Sequence, residues 1–147
     1  MNRHLAQYNV AKMRGVFEDP VMDDFRGALD AINNLASRFP GFVRQIFDDE
    51  YLPWGDQSVL PNMSVWDSLE SLRDFAYRSA HGNVFSKRDK WFQPLGRPHL
   101  VMWWFDDEGE GPTYEDATRR LDILNEKGPT AEGFTFGVPF GPDNTPL

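Results

Sequence analysis

No cysteine occurs in the chain. Disulfides, thiol nucleophiles and thiolate metal sites are therefore excluded. Basic residues are the minority: 15 Lys plus Arg stand against 23 Asp plus Glu, a formal charge of −8. A protein that follows a phosphate backbone needs a basic stripe. The densest basic run, Lys87-Arg88-Asp89-Lys90, is short and carries an acid inside it, so no nucleic-acid partner is expected. Histidines are few, at positions 4, 81 and 99, and their spacing is not that of metal ligands; no metal is expected. The acidic run from Asp106 to Glu110 lacks the alternating oxygen ligands and length of a calcium loop. No glycine-rich loop leads from a strand into a helix, and no Gly-x-Ser-x-Gly motif is present. The opening Met-Asn-Arg-His-Leu has no apolar h-region, and no apolar run reaches membrane-spanning length. The expectation is a cytoplasmic protein with no membrane partner.

What the chain has in abundance is rings. Aromatic residues make up 14%, with 12 Phe and 5 Trp. Such side chains fill cores and also line ligand pockets. A length of 147 residues predicts one domain, large enough to bury a core without staples.

Periodicity supplies the elements. His4 to Val10 alternates as a strand, with Gln7 and Asn9 on one side and Tyr8 on the other. Asp19-Pro20 reads as an N-cap followed by proline at the first helical position. Met22, Phe25, Leu29, Ile32 and Ala36 continue from it at helical steps, predicting a helix over 20–38 that Pro40-Gly41 ends. Strands are predicted at Phe42–Phe47 and Val59–Trp66, with Pro53, Trp54 and Gly55 in the loop between them. Asp67 is placed to cap a helix carrying Leu69, Leu72, Phe75, Ala76 and Ser79 on one broad face. A second helical piece is predicted over 83–92. His99 to Phe105 is apolar on both faces, the pattern of a central strand covered on both sides. Thr113 to Asp116 resembles a capping box, and a last helix runs to Lys127 before Gly128-Pro129 stops it.

The order strand, helix, strand, strand, helix, strand is the split βαββαβ plan. It predicts an α+β, ferredoxin-like fold with a four-stranded antiparallel sheet and helices on one face. The domain is drawn over 1–128 with its added C-terminal helix, and 129–147 form an extended arm packed through Phe134, Phe136 and Phe140. The bare sheet face would carry apolar side chains, which water disfavours; a homodimer through the sheet would cover it.

His4-Leu-Ala-Gln-Tyr-Asn-Val, Asn62-Met-Ser-Val-Trp-Asp-Ser-Leu-Glu-Ser-Leu, Tyr77-Arg-Ser-Ala-His81, Trp91-Phe92 and His99-Leu-Val-Met-Trp-Trp together resemble a bacterial domain-of-unknown-function family, number 3291. That family is similar to a branch of the dimeric α+β barrel superfamily, which includes the antibiotic-biosynthesis monooxygenases. The resemblance implies a cleft in each subunit between the sheet and its own helices, and chemistry on small molecules without a cofactor. Haem-degrading members of the superfamily use an Asn, a Trp and a helix-borne His. Ala80-His81 lines up with that His, Asn9 is nearest to the Asn, and Phe75 stands where the Trp would be.

Three side chains are the catalytic candidates. His81 is fit for proton transfer near neutral pH; the plainer reading is a helix-terminal residue favoured by the dipole. Asn62 and Ser64 lie two apart on one strand and share a face with Leu60 and Trp66. A face that meets water or a dimer partner would explain them; a cleft would make them donors to a carbonyl or enolate oxygen. Tyr8, Trp66, Phe75, Arg78, Trp91 and Trp104 are the substrate-binding candidates: Tyr8 as a donor, Arg78 as a carboxylate anchor, the rings as apolar lining. Core packing is the alternative for each ring. The function expected is a monooxygenase-like enzyme binding an apolar or aromatic small molecule. The alternatives are a haem- or ligand-binding protein with His81 as axial ligand, and a structural dimer without catalysis.

Overall fold

The computed structural model describes residues 3–80, 88–109 and 111–147. Its elements run β1 (Arg3–Met13), α1 (Asp23–Ser37), β2 (Phe42–Ile46), β3 (Val59–Trp66), α2 (Leu69–Ala80), α3 (Arg88–Trp91), β4 (Phe92–Gln93), β5 (Leu100–Asp106) and α4 (Tyr114–Lys127). The sheet is antiparallel. β2 pairs β3, β3 pairs β1, and the far edge of β1 is shared by the long β5 and the two-residue β4. This is the ferredoxin-like order that the strand and helix pattern predicts, with β4 as a short addition.

Local chemistry sets the element ends. Asp19 accepts from the Val21 N–H, so the predicted cap is real, but it opens a single 3-10 turn over Pro20–Met22 before α1 begins at Asp23. Ser68, one residue beyond the predicted Asp67, caps α2, its Oγ accepting from Ser71 N at 3.1 Å. Thr113 caps α4 through Asp116 N. The return half of the capping box is not made, because the Asp116 carboxylate is held by Arg119 and Arg120. Gly41, at φ +92°, turns the chain from α1 into β2; a Cβ there would lie 2.2 Å from Ser71 Oγ, so neither the angle nor the space admits a side chain.

Strand parity divides the core. Ala6, Tyr8, Val10, Val59, Met63, Val101 and Trp103 point to one side and pack against Tyr114, Ala117, Leu121 and Leu124 of α4. Leu5, Trp66, Met102 and Trp104 point to the other, against Leu69 and Leu72 of α2 and Phe134 of the arm. Met13 and Leu60, also on that side, meet Met22, Phe25, Leu29 and Ile32 from the α1 region.

Two expectations change here. α1 and α2 lie on one face, as the plan predicts, but α4 lies on the other. It packs on the apolar face that was expected to be bare. β5, expected to be central because both its faces are apolar, pairs only β1 among the described strands. Its two faces are dry because α4 covers one and the arm and α2 cover the other. The arm also guards its outer edge, where Met102 and Phe134 exchange two backbone hydrogen bonds of 3.0 and 2.9 Å. Gly133 permits this approach: a Cβ there would lie 2.6 Å from Val101 Cγ2.

At the opposite end of the sheet, Asp107 ties three segments together. Arg44 Nη1 and Nη2 donate to its two oxygens at 2.5 and 3.0 Å, and Gly109 N donates at 2.9 Å. His4 Nδ1 lies 2.7 Å from Oδ2; an ionised carboxylate only accepts, so Nδ1 carries the proton. The hydrogen bonds from Arg44, followed by those from His4 and Gly109, hold the Asp107 carboxyl well below the usual carboxylate range.

Candidate functional site

The strand alternation places five polar side chains on the sheet face beneath α1 and α2. Gln45, Ser64 and Gln7 occupy one row across β2, β3 and β1, and Asn62 and Asn9 are opposite each other in the next. All five line a cleft of about 950 Å³ between sheet and helices. The wall beside this floor is mostly apolar, while Lys12, Glu18, Asn33, Asp48, Asp49, Arg97 and His99 line other parts of the cleft. Phe25, Leu29 and Ile32 come from α1, Leu72, Phe75 and Ala76 from α2, Trp66 from the end of β3, and Phe136 from the arm. The lining continues past the short β2 to Tyr51, Val59 and Tyr114.

The polar floor is partly wired to itself. Gln7 Nε2 and Trp66 Nε1 each donate to Ser64 Oγ at 2.8 Å. Both acceptor positions of that hydroxyl are therefore used, and its own proton is left to donate. Two donors on one oxygen polarise the hydroxyl and make it a stronger donor. Gln45 Nε2 donates to Asn62 Oδ1 at 2.5 Å, which fixes the Asn62 amide and leaves its Nδ2 hydrogens unspent. The Asn9 side chain makes no hydrogen bond with any described residue. Ser64 O–H, Asn62 Nδ2 and the Asn9 amide are thus adjacent hydrogen-bonding groups without a partner among the described residues, facing a mostly apolar stretch of wall. Such groups carry a desolvation cost unless something pairs with them.

The sequence candidates separate cleanly by position. Asn62, Ser64, Trp66 and Phe75 line the cleft together. Tyr8 does not: its parity sends it under α4, where it is fully buried. Thr118 Oγ1 donates to Tyr114 O, so Tyr8 must be the donor in the 2.8 Å bond between its hydroxyl and Thr118. Burial raises the Tyr8 pKa above its ordinary value despite that bond. Trp91 packs with Met13, Met22 and Phe25, and Trp104 turns toward the arm, its Nε1 donating to Phe140 O at 2.8 Å. Arg78 is exposed, with its guanidinium over the Phe39 ring at 5.8 Å. These four are packing or surface residues, because local periodicity gives a side chain's face but not what covers it. His81 lies outside the described residues, and the haem expectation rests on it. Among the described residues, no group of three or more His, Asp and Glu side chains is arranged to hold a metal, and no helix is long and apolar enough to cross a membrane.

Gln45 and Phe136 were missed as site residues. A glutamine inside the otherwise apolar-leaning Phe42–Ile46 strand was the available signal for the first. Nothing local marks Phe136 apart from Phe134 and Phe140.

The sequence matches the family described as Domain of unknown function (DUF3291) over residues 4–146. No curated protein matches it. Similar solved structures include a point-mutant form of SnoaB, a cofactor-independent oxygenase from Streptomyces nogalater. It is 14% identical with a TM-score of 0.49, over 75% of this chain and 98% of that one. A putative antibiotic biosynthesis monooxygenase from Chloroflexus aurantiacus J-10-fl is 19% identical with a TM-score of 0.47, over 74% and 97%. A dimeric ferredoxin-like protein of unknown function from Jannaschia sp. CCS1 is 13% identical with a TM-score of 0.44, over 71% and 99%.

Proposed function

The chain belongs to the DUF3291 family, and on that premise we propose that it is a small-molecule enzyme of monooxygenase-like type, acting on an aromatic compound that bears a carbonyl or hydroxyl oxygen. The observation that carries this reading is the contrast between floor and walls. Rings and aliphatic side chains enclose the body of the ligand, and Asn62, Ser64 and Asn9 offer hydrogen bonds to one oxygen at its centre. Amides and a hydroxyl set beneath the apolar faces of two helices suit an occupant that pairs with them.

The chemistry suited to such a floor is enolisation. Loss of a proton from a carbon beside a carbonyl puts negative charge on the oxygen, where preorganised N–H and O–H donors stabilise it. An electron-rich enolate can reduce dioxygen itself. A ring CH2 and one O2 become a ring C=O and one water, with the substrate supplying all the electrons, so the proposal requires no cofactor. His81 is proposed as the proton acceptor.

The test is a titration with a hydroxynaphthoquinone, read by quenching of tryptophan fluorescence. The expected result is saturable binding that Asn62→Leu weakens about tenfold, the loss of one good hydrogen bond to a charged or strongly polar oxygen. Equal binding by wild type and Asn62→Leu, or no binding by either, overturns the reading. Oxygen uptake with a reduced ring ketone then separates turnover from binding.

A further inference from the structure

We infer that Phe136, delivered by the C-terminal arm, determines which ring systems the cleft admits. This rests on the reading of the cleft as a small-molecule site.

Three phenylalanines of the arm have different jobs. Phe134 is fully buried and locked to β5 by its two backbone bonds to Met102. Phe140 packs on Phe134 with ring centres 5.5 Å apart, and its carbonyl receives the Trp104 N–H. These two anchor the arm. Phe136 stands between them at the head of a tight turn, closed by Val138 N donating to Thr135 O at 3.3 Å. Its ring is only partly buried, lies under the Arg73 guanidinium at 5.8 Å, and forms part of the cleft wall with Trp66, Leu72 and Phe75.

Trp66 and Phe75 are fixed by the sheet and by α2. Phe39 and Phe42 pack edge-on against Trp66, and Phe75 lies against both Trp66 and Phe39. Among the described residues, the wall ring at this end that comes from a turn rather than from a helix or strand is Phe136. A substitution there changes the span of the cleft and leaves the hydrogen-bonding floor in place. Specificity for ring number then lies in the arm, while recognition of the oxygen lies in the sheet.

The experiment compares dissociation constants for a two-ring hydroxynaphthoquinone and a three-ring hydroxyanthraquinone in wild type, Phe136→Ala, Phe136→Trp and Val138→Ala. Opening the wall should shift preference toward the three-ring probe by about tenfold in Phe136→Ala, the scale on which apolar pockets discriminate size. Phe136→Trp should shift it the opposite way. Val138→Ala, in the same turn but exposed, should leave the ratio as in wild type. A ratio unchanged in both Phe136 variants, with binding still sensitive to Asn62→Leu, overturns the inference and leaves the cleft reading standing. If wild type binds neither probe, the cleft reading fails and takes this inference with it. Should Phe136→Ala not fold, an unchanged ratio in Phe136→Trp is enough to reject the inference.

Discussion

Gln7 and Ser64 face each other across β1 and β3, and the Gln7 side-chain amide donates to Ser64 Oγ at 2.8 Å while Trp66 Nε1 donates to the same atom. One hydroxyl therefore holds the floor of the cleft and the ring of its wall in register. Ser64 is at once a structural hub and a candidate donor to ligand, and substitutions distinguish those roles.

Ser64→Ala leaves two buried donors, Gln7 Nε2 and Trp66 Nε1, without their acceptor. Each such loss costs about 1–3 kcal/mol. The expected outcome is a fall of that order in unfolding free energy, measured by urea denaturation. Asn62→Ala removes one partly buried pair with Gln45 and should cost less, so its effect should fall on ligand affinity.

Tyr8→Phe should leave ligand binding unchanged, because Tyr8 lies across the sheet from the cleft floor. Its effect belongs at high pH. Burial raises the pKa of Tyr8 and pushes that of Tyr114 up to about 12. A raised pKa means stability that is full below the unfolded value of about 10 and is lost as pH rises toward the folded one. Between about pH 10 and 12 the unfolding free energy should decline, and Tyr8→Phe should flatten that decline. Urea midpoints at a series of alkaline pH values are the measurement; an unaltered slope would refute the assignment.

Asp107→Asn breaks the clamp among β1, β2 and the segment after β5. Arg44 and His4 both lose a carboxylate that is nearly buried, with 4% of its side chain exposed. The pair is part-buried, with Arg44 and His4 reaching solvent, so the loss should be smaller than the roughly 3–5 kcal/mol for breaking a fully buried pair. The lowered pKa of Asp107 means stability present above the ordinary carboxylate range and lost as pH falls through it. Wild type should therefore lose more stability on the acid side than the variant, in which Asp56, Asp116 and Asp143 still contribute.

Leu121→Ala tests the role of α4. The side chain is fully buried against the sheet, and its truncation should cost about 2–5 kcal/mol. Leu121→Asp, which drives α4 off the sheet, should bare Tyr8, Met63 and Trp103 and cause self-association by light scattering. Wild type should not associate through that face.

The strand and helix order was legible because it depends on neighbours in sequence. Asp19-Pro20, Thr113 and Gly128 mark ends through bonds made within one turn, and the grouping of Asn62, Ser64 and Trp66 on one face follows from the two-residue repeat alone. The same repeat separated Tyr8 from Gln7 and Asn9. The places of Trp91, Trp104 and Arg78 were not legible, since a ring on an apolar stripe fits a pocket wall and a core equally well.

The sequence by itself determined the βαββαβ order, the face of each strand residue and the exclusion of thiol chemistry, all of which follow from composition or from period. Only the tertiary structure decided that α4 packs on the outer sheet face, that Gln45 joins Asn62, and that Phe136, rather than Phe134 or Phe140, is the arm's ring in the cleft wall. Those outcomes depend on contacts between residues far apart in sequence, such as Phe134 with Met102 and Tyr8 with Thr118, and no local pattern records which distant surface a side chain will meet.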